Sequence, residues 1–149
     1  MRIDGFRGAF RFLSNFHVAD DGYCVEHHYQ AEKTLDPDQR AWIMSAPTAR
    51  EARARGRHAV LRPDWDSTKN AVMWACLLRK FSDPGLLEAL LLTQDAELVE
   101  TNWWGDRHFG VCRGVGHNWL GRMLMALRDA ARSGKTPENP DGGTHAQVS

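Results

Sequence analysis

The chain has 149 residues, enough for one domain that buries roughly two thirds of the surface its unfolded form exposes. Lys plus Arg and Asp plus Glu number 19 each, so the net charge is zero and no global field draws the chain to nucleic acid or membrane; any such affinity has to come from a local patch. Three well-separated cysteines, Cys24, Cys76 and Cys112, with no C-x-x-C pair, argue against a disulfide framework or a zinc knuckle and point to a reducing, cytoplasmic setting.

In chain order, Met1 to Gly5 has no apolar signal core, and no window approaches eighteen uncharged apolar residues, so neither export nor membrane insertion is expected. Phe6 to Leu13 alternates aromatic with basic or small residues at a period near two, which predicts a short strand. His17-Val18-Ala19 and Tyr23-Cys24-Val25 flank Asp20-Asp21-Gly22, a hairpin signal that would deliver the chain to Glu26.

From Glu26 a helix is predicted to about Leu35, before Asp36-Pro37. Glu26, Tyr29 or Gln30, and Lys33 fall at i, i+3/i+4 and i+7 on one face, joining a carboxylate, a phenol or amide and an ammonium. Geometry alone leaves two readings, a solvated helix with a charge pair and an active site, and the first is the commoner fate of such a pattern. A second helix follows over Asp38 to Met44, and a third, entered through Ser45-Ala46-Pro47-Thr48, over Ala49 to Arg55 until Gly56. The third is basic: Arg50, Arg53 and Arg57 share a face that could hold a phosphate or simply face water.

Pro63-Asp64-Trp65-Asp66 opens the longest early helix, with Ala71, Trp74, Ala75, Leu78 and Phe81 as its expected core face. Asp83-Pro84 starts a helix to about Thr93, and Ala96 to Glu100 reads as a short strand. Trp103 to Asn118 is a loop too rich in aromatic residues and glycine for a passive linker. The last helix, Trp119 to Arg132, carries Leu120, Leu124, Leu127 and Ala131 on its apolar face and ends at Gly134. Residues 133–149 have almost nothing apolar and are expected to be a disordered tail behind a domain of residues 1–132.

The common catalytic signatures are missing: there is no G-x-S-x-G, P-loop, G-x-G-x-x-G or H-E-x-x-H. The adjacent His27 and His28 point to different helix faces, so no metal site is expected. The ordered set Phe12-Leu13-Ser14-Asn15-Phe16, Glu26-His27-x-Tyr29-Gln30-x-x-Lys33, Ala49-Arg50, Gly56-Arg57, Trp65 with Met73, Lys80-Phe81, Leu98-Val99-Glu100, Trp104-Gly105 and Gly116-x-Asn118-x-Leu120-Gly121, with Leu124-Met125 and Arg128, resembles the NADAR family of YbiA-type riboflavin-intermediate N-glycosidases. The resemblance runs from about Phe6 to Arg132.

What the resemblance implies is a mainly α-helical α+β fold, a single YbiA-like domain with a small antiparallel β element, that hydrolyses the C–N bond between a base and a phosphorylated ribose without a cofactor. Ribosylaminopyrimidine intermediates of riboflavin synthesis are the implied substrates. ADP-ribosyl-guanine in DNA or RNA is the alternative, and a non-catalytic NAD or ADP-ribose-binding module is the competing class.

The family's glutamate falls on Glu26, its lysine on Lys33 and its tryptophan on Trp65. The family aspartate is displaced: its position holds Thr101, followed by Asn102, and the acids on offer are Asp106 and Glu100. On this reading Glu26 stabilises charge on the sugar and orients water. Lys33 binds phosphate or forms a Schiff base. Trp65 stacks on the base or only staples its helix to the core, and Asp106 touches the base or the ribose. Asn15, Tyr29, Arg50, Arg53, Arg57, Trp104, Gly105 and Asn118 complete the implied substrate-binding set, Asn118 having a plain helix cap as its alternative role.

Overall fold

The structure is a computed structural model, and it describes residues 1–142. Helices dominate it: a 3-10 turn at Gly8–Leu13, α1 Val25–Ala31, α2 Pro37–Met44, α3 Ala49–Gly56, α4 Trp65–Lys80, α5 Pro84–Leu91 and α6 Trp119–Ser133, with strands β1 Arg2–Asp4, β2 Glu97–Val99, β3 Thr101–Asn102 and β4 Val111–Cys112. The described residues divide into two units, one of Met1–Ser14 with residues 81–142, the other Asn15–Lys80.

In the first unit, β1 pairs in parallel with β2 (Ile3 opposite Leu98) and β3 in parallel with β4. The expected antiparallel element is therefore corrected to two parallel pairs, with antiparallel geometry confined, among the described residues, to one isolated bridge between Cys112 and Val115. α6 packs against β2 and α5. Leu120, Met123, Leu124 and Leu127 form its buried face, whereas Ala131, expected there, is exposed. The Phe6 to Leu13 stretch is a 3-10 turn rather than a strand, entered through Gly8 at φ +59. A period of three also places Phe10 and Leu13 on one side, and only Leu13 is buried. The tail begins as α6 ends, with Gly134 in the left-handed cap conformation and the amide of Lys135 on the carbonyl of Ala130. Residues 143–149 of the expected tail lie outside the described residues.

In the second unit α1 is the hub: α2, α3 and α4 all pack against it. The predicted hairpin forms its turn, with Ala19 N–H on the Tyr23 carbonyl at 2.8 Å, but no ladder. The amide of Cys24, which a ladder would need, is taken by Nδ1 of His27 at 3.2 Å in a capping box that starts α1. α1 ends at Ala31, earlier than the expected Leu35. The next amides bond three residues back, Lys33 to Gln30 and Thr34 to Ala31, while the Lys33 carbonyl accepts from the amide of Arg62 at 2.7 Å. α2 and α3 start at their local caps, the Asp36 carboxylate on the amides of Asp38 and Gln39 and the Thr48 hydroxyl on that of Glu51. In α4 the buried residues are Trp65, Val72, Met73, Trp74, Cys76 and Leu77, while Ala71, Ala75 and Leu78 are half-buried. Of the expected face Trp74 and Phe81 are buried, and the rest of the core face is made by Val72, Met73, Cys76 and Leu77 instead.

Candidate functional site

α1 is short and polar, and it is nevertheless buried over nearly its whole circumference: Val25, Glu26, His27, Tyr29, Gln30 and Ala31 are all inside. The solvated-helix reading is overturned, because these residues are buried and both His27 and Glu26 have partners from elsewhere in the unit. His27, with its Nε2–H on the carbonyl of Ala46 at 2.9 Å, offers Nδ1 to the Cys24 amide and lies 3.1 Å from the Cys24 thiol. Its role is to fasten α1 to the end of α2, which also accounts for the histidine beside Glu26 without a metal.

Glu26 is only 5% exposed. Its Oε1 accepts from Gln30 Nε2 at 2.7 Å, one turn along the helix, and lies 3.5 Å from Nε of Arg53 on α3. The Arg53 guanidinium stands 5.6 Å from the centre of the Phe16 ring, a cation–π contact that orients it. The backbone of Asn15 closes the other side, its carbonyl accepting the Glu26 amide at 3.1 Å. A buried carboxylate held by an amide donor and a guanidinium is a charge kept in a low-dielectric setting, where it acts on a nearby developing cation more strongly than it would in water.

Lys33 follows α1 rather than riding on it. Its Nζ lies 5.7 Å from the centre of the Tyr29 ring. Burial pushes its pKa below the ordinary lysine value; Glu26 opposes that shift, and Arg53 and Arg57 add to it. Its ammonium therefore gives up a proton more readily than that of a solvent-exposed lysine. Tyr29 packs in turn on Trp65, ring centres 5.1 Å apart, and Trp65 is buried. This places Trp65 behind Tyr29 as a wall of the cluster, in keeping with the stapling role.

The sequence brings forward a further buried charge that its motifs do not mark. Glu32, adjacent to Lys33, is held by Arg40 from α2 at 2.6 Å and by Arg62 at 3.8 Å, and Arg62 is itself clamped by Asp64 at 2.6 Å. With the Arg62 amide on the Lys33 carbonyl, this network fixes the backbone from which Lys33 extends. The signal was a Glu-Lys pair at the end of a polar helix, readable only once Arg40 and Arg62 are known to converge on it.

Of the predicted arginines, Arg53 reaches Glu26 and the charge of Arg57 is felt at Lys33, while Arg50 is exposed. Asn15 turns its Nδ2 toward the Met73 sulfur at 3.7 Å, leaving Oδ1 buried with no hydrogen-bond partner among the described residues.

The remaining predicted residues lie in the first unit. Asp106 Oδ1 accepts from the amides of His108 and Phe109, both at 3.0 Å, and the Asp106 backbone is gripped at both its amide and its carbonyl by the Asn102 carboxamide. Asn118 does not cap α6 with its side chain: Oδ1 accepts from the Glu100 amide at 3.0 Å, and Nδ2 donates to the Leu98 carbonyl at 2.9 Å. A Cβ on Gly121 would lie 2.5 Å from that Nδ2, so the glycine makes room for the latch. Trp103 and Trp104 meet edge to face on the exposed side of the loop, which turns at Gly105 with φ +92. Among the described residues no group of three or more His, Cys, Asp or Glu is arranged to hold a metal ion, and no helix is long and apolar enough to cross a membrane.

A model of the NADAR domain matches residues 9–132. N-glycosidase YbiA of Escherichia coli strain K12 is 40% identical over 111 residues, 70% of this chain and 67% of that one. The NMR structure of the E. coli protein YbiA superposes with a TM-score of 0.76 at 31% identity, covering 94% of this chain and 90% of that one. A riboflavin biosynthesis protein of Zea mays is 36% identical over 122 residues, 70% of this chain but 19% of that much longer protein. The chain belongs to the NADAR family, and it is an N-glycoside hydrolase.

Proposed function

We propose that the substrate is a base joined through nitrogen to a ribose 5-phosphate, of the ribosylaminopyrimidine kind met in riboflavin synthesis, and that Glu26 and Lys33 carry the reaction. The observation that carries the mechanism is the pairing of a buried, doubly held carboxylate with a desolvated amine beside it. The name of the maize relative supports the substrate class.

Breaking a ribosyl C–N bond leaves positive charge on C1 and the ring oxygen as the electron pair departs with the base. Glu26, held through Oε1, stabilises that charge. Lys33 gives its ammonium proton to the departing base, the freed amine adds its lone pair to C1, and the ring opens to a protonated imine as a second proton passes from nitrogen to the sugar oxygen. Water then adds to the imine carbon, and the amine leaves, restoring Lys33 and releasing ribose 5-phosphate. Arg57, exposed at the end of α3, supplies charge for the 5-phosphate, and the Asn15 carboxamide oxygen accepts from a sugar hydroxyl or the base.

Incubating the protein with a ribosylaminopyrimidine 5-phosphate and following free base by chromatography tests the substrate class. Base release is expected, with a borohydride-reduced covalent adduct that is absent in Lys33→Ala. Release only from ADP-ribosyl-guanine DNA would reassign the substrate, and release without an adduct would return Lys33 to a phosphate contact.

A further inference from the structure

Gly56 is the last residue of α3 and has an ordinary negative φ, so its backbone does not require glycine. Glycine weakens a helix relative to alanine, which directs attention to what its missing side chain leaves open. A Cβ at Gly56 would sit 2.8 Å from Cδ of Gln30, 3.1 Å from its Cβ, and well inside contact with its Oε1. With Ala49 and Ala52, the other buried residues of α3, Gly56 forms a face of small residues along the side that carries Arg53 toward Glu26. The space it leaves is filled by one group, the Gln30 carboxamide.

That carboxamide is 4% exposed and asymmetrically bonded. Its Nε2 donates to Glu26 Oε1 at 2.7 Å, while its Oε1 is buried with no hydrogen-bond partner among the described residues. An amide placed for packing alone would gain nothing from leaving its oxygen unsatisfied. Turned over, it would set that oxygen against the carboxylate oxygen of Glu26, so the charge on Glu26 selects the orientation.

We propose that Gln30, seated on Gly56, is the positioning residue of Glu26: it fixes Oε1 and thereby the direction in which the carboxylate meets the charge developing on the sugar. The inference rests on Glu26 acting at the sugar. Because that charge appears only in the transition state, losing the amide lowers kcat and leaves KM nearly unchanged.

The test is steady-state base release by wild type, Gln30→Met, Gln30→Ala, Gly56→Ala and the double variant Gln30→Ala/Gly56→Ala, with Glu26→Gln in parallel and thermal melts confirming folding. Gln30→Met, of similar length but without a donor, is expected to lose about 10- to 100-fold in kcat with KM within about threefold. Gly56→Ala, which never touches Glu26, is expected to lose a comparable amount. It is expected to cost little further once Gln30 is alanine, because the severe collisions, with Oε1 and Cδ, are then gone and only the 3.1 Å approach to Cβ remains. Wild-type kcat in folded Gln30→Met, or full additivity of Gly56→Ala and Gln30→Ala, overturns the proposal. Full activity in Glu26→Gln removes the reading of Glu26 itself, whereas inactive Glu26→Gln beside fully active Gln30→Met removes only the role of Gln30.

Discussion

The two motif-rich regions, the α1 cluster and the stretch from Asn102 to Asn118, both take polar side chains wholly or partly out of solvent, and they differ in what those side chains bind. In that stretch, Asn102, Asp106 and Asn118 bind main-chain amides and carbonyls, so their polarity holds β2, β3, β4 and the start of α6 in register. Around α1, Gln30 and Arg53 both bind Glu26, and Lys33 is held near them with its proton weakened. Side chains that satisfy backbone groups build architecture. Charged side chains gathered around one another in a buried place keep charge available for chemistry. The contrast predicts that substitutions in the loop act on stability and those around α1 on turnover.

The largest effect expected from a variant that keeps the fold is that of Lys33→Met, with kcat reduced by about 10³-fold or more. Its stability response has a definite sign. Burial lowers the folded-state pKa of Lys33, so between that value and the unfolded 10.5 the unfolded chain binds more protons. Charging Lys33 therefore costs stability at low pH, and the cost disappears as pH rises through that window. Melting temperatures of wild type and Lys33→Met should differ most near neutrality, with the variant the higher, and converge toward pH 10.5; a gap that widens with pH contradicts the assignment.

Asn118→Ala comes next. It strands the Glu100 amide and the Leu98 carbonyl, and about 2–4 kcal/mol of unfolding free energy should be lost in urea titrations, with kcat of the folded fraction little changed. The smallest effect is that of Asp106→Asn. The amide oxygen can accept from His108 and Phe109 as the carboxylate does, so stability should change by about 1 kcal/mol or less and base release by less than about fivefold. A much larger loss of turnover would give Asp106 a chemical part and blur the division between the two regions.

The sequence revealed elements whose signals are local. Asp36-Pro37, Thr48 and Asp83-Pro84 announce the starts of α2, α3 and α5 because a cap and the amides it binds lie within three residues of each other. It concealed elements whose partners are distant: the three residues of β1 are a strand only because Glu97–Val99 lies beside them, and no periodicity can be read from three residues. The site divides in the same way. The face of Glu26 and Lys33 was visible as spacing. Its burial was not, since a polar helix looks solvated until Arg53, Arg40, Arg62 and the carbonyl of Ala46 are brought to it. Gly56 stood in the motif as a helix stop, and its service to Gln30 emerges only from the packing of α3 on α1.

The claim that the chemistry resides in the α1 cluster is tested most directly by the turnover number of Glu26→Gln on a ribosylaminopyrimidine 5-phosphate. The substitution keeps the shape and a hydrogen-bonding oxygen and removes the charge. The structure predicts a fall of at least about 10²-fold in kcat from a folded protein. Turnover at the wild-type rate would contradict it.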